Sequence, residues 1–155
     1  LAAACEALDK AGLIVRRRSH AWRSAAWPDP TQPPFTNAVV EIAPGDLTPQ
    51  QVMARLHRTE RMFGRKRGVR NAPRTLDLDL IAWGNAVISD PKTGLVVPHP
   101  RLHVRAFVLA PLSELDPKWW HPSYDVAITS LLVQSQVELP AVRTKHSDKL
   151  AQSAE

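Results

Sequence analysis

Cysteine is almost missing from this chain: Cys5 is the single one among 155 residues. One thiol excludes an intrachain disulfide and a multi-cysteine zinc site, and nothing asks for an oxidising compartment. Cys5 is expected to be a small buried hydrophobe. Among the six glycines there is no G-x-x-x-x-G-K-[ST] and no G-x-G-x-x-G, so the two commonest backbone cradles for phosphate are absent. Any polyphosphate would have to be gripped by side chains. No apolar run approaches the roughly 18 residues of a membrane span, and the first segment lacks the charged start and long apolar centre of a secretory signal. These features fit a cytoplasmic protein.

What is present is ordinary for a globular domain, with 44% apolar and 23% charged residues. Lys and Arg outnumber Asp and Glu by 20 to 15, a formal charge of +5 that suits an anionic partner. The length suits one domain, expected over 1–140, followed by a polar tail at 141–155.

Residues 1–11 are alanine-rich with apolar positions at helical spacing, and Gly12 stands where a helix C-terminus favours glycine. A strand follows from Leu13. The proline-dense stretch 25–34 reads as an irregular loop. Thr36 to Ala43 reads as a strand. Thr48, Pro49 and Gln51 predict a capped helix with Val52, Leu56, Thr59 and Phe63 on one face. Pro73 to Trp83 is the next predicted strand, Gly84-Asn85 a hairpin turn, and "AVIS" its return. Helical segments are expected within 101–112 and near Val126. This order favours an α+β fold, a mainly antiparallel sheet with helices packed on it.

The segment "PRTLDLDLIAW" carries the chemistry. Along a strand Asp77 and Asp79 share one face and Leu76, Leu78 and Leu80 the other. Two carboxylates about 6.6 Å apart repel by about 2 to 3 kcal/mol at an effective dielectric near 20, so a cation should offset them. Mg²⁺ suits, because it takes one or two carboxylates and completes its shell with water and phosphate. An amphipathic strand on a wet sheet face would show the same alternation.

Upstream, Arg61, Arg65, Lys66, Arg67, Arg70 and Arg74 form a run of cations with no acid among them. Arginine forks bind phosphate oxygens bidentately and keep their charge. A solvated charge run or a noncatalytic nucleic-acid patch is the rival reading. Arginines together with paired carboxylates favour metal plus nucleotide.

The stretch "RNAPRTLDLDLIAWGN" resembles the signature of the 6-hydroxymethyl-7,8-dihydropterin pyrophosphokinases of folate biosynthesis. "QPPFTNAVVEI", "ERMFGRKR" and "VPHPRLHVRAFVLAPLSEL" resemble that family's other segments in the same order. The resemblance implies a ferredoxin-like fold and an ATP-dependent diphosphotransferase that moves pyrophosphate from ATP to the pterin's hydroxymethyl group and releases AMP. By position, Asp77 and Asp79 would hold two Mg²⁺ and, with Arg65 and Arg74, form the catalytic group. His57, Glu60, Arg67, Arg70, His99 and Arg105 would serve the nucleotide. Phe35 and Phe107 would sandwich the pterin, Asn37 would read its polar edge, and Ser24 and Trp27 would lie in a substrate loop. The loops at 25–34 and 64–74 would close over the substrates.

The partners implied are ATP and the pterin, with no nucleic acid or membrane and with a functional link to dihydropteroate synthase. Without the resemblance Phe35 and Phe107 read as core, Asn37 as a turn or strand-edge residue, and His99 with His103 as an incomplete metal pair. Asn71-Ala72 stands where many relatives have tryptophan and glycine, and Phe35 where tyrosine is frequent. The family's first strand, with its glycine-serine-asparagine turn, is expected ahead of Leu1; an inactive truncated relative is therefore a further alternative.

Overall fold

A computed structural model describes residues 1–26, 29–64, 76–138 and 141–144. In chain order its elements are α1 (Ala2–Lys10), β1 (Ile14–Arg18), β2 (Trp22–Ser24), β3 (Phe35–Asn37), β4 (Val40–Ala43), α2 (Pro49–Met62), β5 (Ile88–Asp90), β6 (Leu95–Val97), a 3-10 turn (Leu102–Val104), α3 (Ala106–Leu115), β7 (Trp120–His121), β8 (Val126–Ala127), α4 (Ile128–Glu138) and β9 (Val142–Arg143). The class is α+β. Among the described residues the strands form four small sheets rather than one, and the pairings β2–β3, β2–β9, β5–β6 and β7–β8 are antiparallel. The chain divides into two compact units, the first made of 1–17, 41–100 and 122–124, the second of 18–40, 101–121 and 125–155.

In the first unit, α1 forms because alanine has the highest helix propensity, and it stops in a Schellman motif. Gly12 N–H donates to Asp9 O and Leu13 N–H to Leu8 O, both at 2.9 Å, with Gly12 at φ +74°. Arg55 of α2 then donates to Ala11 O at 2.6 Å. Helix α2 starts as its capping box requires: Gln51 N–H donates to Thr48 Oγ1 and Thr48 N–H to Gln51 Oε1. Val52, Leu56 and Thr59 turn inward with Leu8, Leu13, Leu95 and Val97. Each fully buried leucine or valine contributes about 1.5 to 3 kcal/mol.

The β5–β6 hairpin closes on Asp90, whose carboxylate accepts from Lys92 N–H, Thr93 Oγ1 and Gln50 Nε2. These bonds, Thr93 first, hold the Asp90 carboxyl below its ordinary range. β1 pairs with β4, and Arg17 bonds Glu41 across the pair.

In the second unit β2 lies between β3 and β9, with register Trp22↔Asn37 and Ser24↔Phe35 on one side and Trp22↔Arg143 on the other. Helix α3 packs on β2 and β3, and α4 packs on α3 and the 3-10 turn. Leu102, Ala106, Leu109 and Ile128 are buried there. Glu114 of α3 accepts from His20 N–H and Trp22 Nε1 at 3.1 Å and meets His20 Nδ1. Within the proline-dense loop, Asp29 accepts from Thr31 N–H, Thr31 Oγ1 and Gln32 Nε2, which lowers its pKa.

Several expectations are corrected. The strand expected over 36–43 is two strands with different partners, β3 on β2 and β4 on β1. The break falls at Val39, whose N–H goes to Ser19 Oγ and whose carbonyl takes Ser19 N–H. Leu76–Trp83 carries no assigned strand, because no described strand supplies a ladder for its backbone. Gly84-Asn85 is a turn, with Ala86 N–H donating to Trp83 O, yet "AVIS" pairs forward with β6 and does not return along 76–83. The expected tail enters the fold at Ala141–Thr144, where β9 joins β2. Cys5 is half-buried rather than core.

Candidate active site

The aspartate segment keeps the alternation of a strand without its ladder. Leu76, Leu78 and Leu80 are half-buried while Asp77 and Asp79 are exposed, so both carboxylates face solvent. Three bonds or contacts position the segment. Leu78 N–H donates to Glu60 Oε1 of α2 at 2.8 Å. Ile81 O accepts from the main-chain N–H of His99 at 2.9 Å, and His99 Nε2 stands 4.0 Å from Asp79 Oδ2. His99 follows directly on β6 through Pro98, so the hairpin that buries Leu95 and Val97 also sets the imidazole beside Asp79. His57 lies on α2 one turn before Glu60, half-buried.

Whether these residues suit a hard divalent ion can be judged from their donors. No group of three His, Cys, Asp or Glu able to hold a metal occurs among the described residues. An all-protein zinc or calcium cage is thereby a poor fit, including the His99 and His103 pair. Two exposed carboxylates on alternate residues fit Mg²⁺, which leaves most of its shell to water and phosphate oxygens.

In the second unit the remaining candidates come together around β2, β3 and α3. Asn37 Nδ2 donates to Ser24 Oγ at 3.0 Å across the strand pair. Ser24 is the buried last residue of β2 and not a loop residue, a correction that follows from its register opposite Phe35. Phe35 is 51% exposed, which removes the reading of it as core. Phe35 and Asn37 are two apart on β3 and share one of its faces. On α3, Phe107 is half-buried and the Arg105 guanidinium lies 5.6 Å from its ring centroid, a cation–π contact. His103 and His121 approach edge to face at 6.4 Å, and His121 also meets Trp119 at 5.4 Å. Burial and then the neighbouring His103 charge push the His121 pKa below 6.5.

Trp27, Arg65, Arg67, Arg70 and Arg74 lie outside the described residues, so the basic run enters the described structure only through Arg61, exposed at the end of α2. Glu60 was expected beside a nucleotide; its side chain is instead turned inward, 1% exposed, onto the aspartate segment. The sequence carried that signal, because Glu60 continues the inward stripe Val52, Leu56 at the same four-residue step. Ser24 as the partner of Asn37 had no such signal, since strand register is a tertiary fact.

Comparison with known proteins identifies the family. The family model for 7,8-dihydro-6-hydroxymethylpterin-pyrophosphokinase (HPPK) matches residues 1–117. The 2-amino-4-hydroxy-6-hydroxymethyldihydropteridine pyrophosphokinase of Synechocystis sp. is 39% identical over 132 residues, covering 85% of this chain and 65% of that protein. Its counterpart from Aquifex aeolicus is 34% identical over 113 residues, 72% of this chain and 68% of that protein. The mitochondrial folate synthesis bifunctional protein of Arabidopsis thaliana is 41% identical over 108 residues, 70% of this chain and 19% of its own length. The chain thus spans less than two thirds of the length of the Synechocystis and Arabidopsis relatives. No helix among the described residues is long and apolar enough to cross a membrane.

Proposed function

The chain belongs to the 7,8-dihydro-6-hydroxymethylpterin-pyrophosphokinase family, and from that premise we propose that it transfers pyrophosphate from ATP to the hydroxymethyl group of 6-hydroxymethyl-7,8-dihydropterin. The hydroxyl oxygen forms a bond to the β-phosphorus, the bond from that phosphorus to the bridging oxygen of AMP breaks, AMP leaves, and the hydroxyl proton is released. The ferredoxin-like arrangement, the use of two Mg²⁺ ions, a cytoplasmic setting and a link to dihydropteroate synthase belong to the same proposal.

The observation that carries it is the exposed Asp77 and Asp79 pair on a segment anchored at Leu78, Asp79 and Ile81. These carboxylates are the residues to hold Mg²⁺, which when bound supplies neutralisation of the phosphate charge. Transfer of this kind needs positioning and electrostatic stabilisation more than an elaborate acid and base. Arg65 and Arg74 are assigned to the non-bridging oxygens, with Arg67, Arg70, His57, His99 and Arg105 serving the nucleotide.

The pterin is assigned to Phe35, Phe107 and Asn37, with Trp27 beside it. A flat heteroaromatic ring suits aromatic faces, and an amide offers both a donor and an acceptor. Ser24 holds one Asn37 amide hydrogen, which limits rotation of the group that reads the ring.

Calorimetric titration with a nonhydrolysable ATP analogue, Mg²⁺ and the dihydropterin tests the assignment. Saturable, Mg²⁺-dependent binding of the analogue, together with binding of the pterin, is expected. Indifference to Mg²⁺ and pterin, with oligonucleotide affinity that falls steeply with salt, would favour the nucleic-acid module instead.

A further inference from the structure

Glu60 is an ionisable side chain near the end of α2, followed in sequence by the exposed Arg61 and Met62, yet it is 1% exposed. Burying a carboxyl without hydrogen bonds is costly, so its partner matters. One such bond comes from a main-chain group: Leu78 N–H donates to Oε1 at 2.8 Å. Leu78 is the residue between Asp77 and Asp79, and each aspartate Cα is about 3.8 Å from its own. Fixing this amide therefore restrains the Asp77–Leu78 peptide plane directly and reaches Asp79 through the next Cα. Elsewhere in 76–83 the described main chain has no strand ladder to do this.

From this geometry we propose that Glu60 is a positioning residue for the aspartate pair: it does not touch the nucleotide but clamps Leu78 N–H and so sets the spacing and aim of Asp77 and Asp79. The proposal rests on the reading of Asp77 and Asp79 as the pair that holds divalent cations. Glu60 belongs to the class of outer groups that hold ligating carboxylates in place, whose loss commonly costs 10- to 100-fold in metal affinity. The contact also explains why a glutamate continues an apolar stripe. An apolar residue at 60 would leave the Leu78 amide facing a side chain that cannot accept.

Two conservative variants separate reach from charge. Glu60→Gln keeps an oxygen at the same reach and loses the charge; Glu60→Asp keeps the carboxyl and withdraws it by one methylene. Mn²⁺ serves as the probe, counted by electron paramagnetic resonance in the presence of a nonhydrolysable ATP analogue, with amide exchange at Leu78 followed by NMR and a thermal melt on each protein. E60D is expected to weaken Mn²⁺ binding by about tenfold or more and to accelerate Leu78 exchange, and E60Q to lose less on both.

Mn²⁺ affinity in E60D equal to that of the unaltered protein overturns the proposal alone, as does a larger loss in E60Q than in E60D. Weakened Mn²⁺ binding with unchanged Leu78 exchange also overturns it, since Glu60 would then act directly. A lowered melting temperature with unchanged Mn²⁺ affinity would show a structural role only and equally overturn it. Failure of the unaltered protein to bind Mn²⁺ with the analogue would instead sink the metal reading of the aspartates, and the proposal with it.

Discussion

His99 reaches the aspartate segment twice: its main-chain N–H donates to Ile81 O at 2.9 Å, and its Nε2 lies 4.0 Å from Asp79 Oδ2. The main-chain bond survives substitution, whereas the imidazole contact does not. Asp79 is 48% exposed and His99 23% exposed, so the side-chain pair contributes at most about 1 kcal/mol to stability. Its value lies in where it holds the carboxylate.

His99→Ala should therefore melt close to the unaltered protein while its affinity for Mg²⁺-ATP falls about tenfold. Binding of the pterin, titrated separately, should change less than about twofold. Parallel loss of both ligands would contradict the role.

Phe35 offers the opposite contrast of exposure with function. Because half of it already faces water, Phe35→Ala should cost less than about 1 kcal/mol in urea unfolding, against the 2 to 5 expected for Leu109→Ala in the core. Pterin affinity should drop by about tenfold, the worth of one lost ring face. Unchanged pterin binding would remove Phe35 from the site.

Gly12 is demanded by backbone and neighbour together. Its φ of +74° strains any residue with a Cβ, and a Cβ there would come within 2.5 Å of Arg55 Nη1, which holds Ala11 O. Gly12→Ala should lose about 1 to 3 kcal/mol by equilibrium unfolding. Replacing Arg55 by Ala as well should relieve the collision but leave the strain, so the second substitution should add less than it costs alone.

Two groups make stability depend on pH in the same direction. His121 has its folded pKa lowered from 6.5, first by burial and then by His103, so its contribution is fully present above 6.5 and is lost as pH falls through that value towards the lowered one. Burial tends to raise the Glu114 pKa, but hydrogen bonds from His20 and Trp22 outweigh it. Its folded value lies below 4.5, and the stability it gives is lost at still lower pH. Melting temperature followed from about pH 8 to pH 2 should fall in two windows, His121→Gln flattening the upper and Glu114→Gln the lower.

Local signals read correctly wherever the chemistry is local. Thr48, Pro49 and Gln51 specify the start of α2 through bonds between residues three apart, and Gly12 ends α1 through its own φ. The Leu and Asp alternation gave the exposure of both carboxylates although no strand forms there. Partner choice was not legible: Gly84-Asn85 encodes a reversal, but nothing near it says that 88–90 pairs with 95–97. The break at Val39 depends on Ser19, twenty residues away, and the hydrogen bond that Glu60 accepts comes from an amide eighteen residues ahead.

The most direct measurement follows AMP and pterin diphosphate formation by phosphorus NMR for the unaltered chain and for Asp79→Ala, each checked for an intact fold by its melt. The account expects one AMP per pterin diphosphate, a requirement for Mg²⁺, and a turnover in Asp79→Ala reduced by about a thousandfold or more. A folded Asp79→Ala that turns over at nearly the unaltered rate would contradict it.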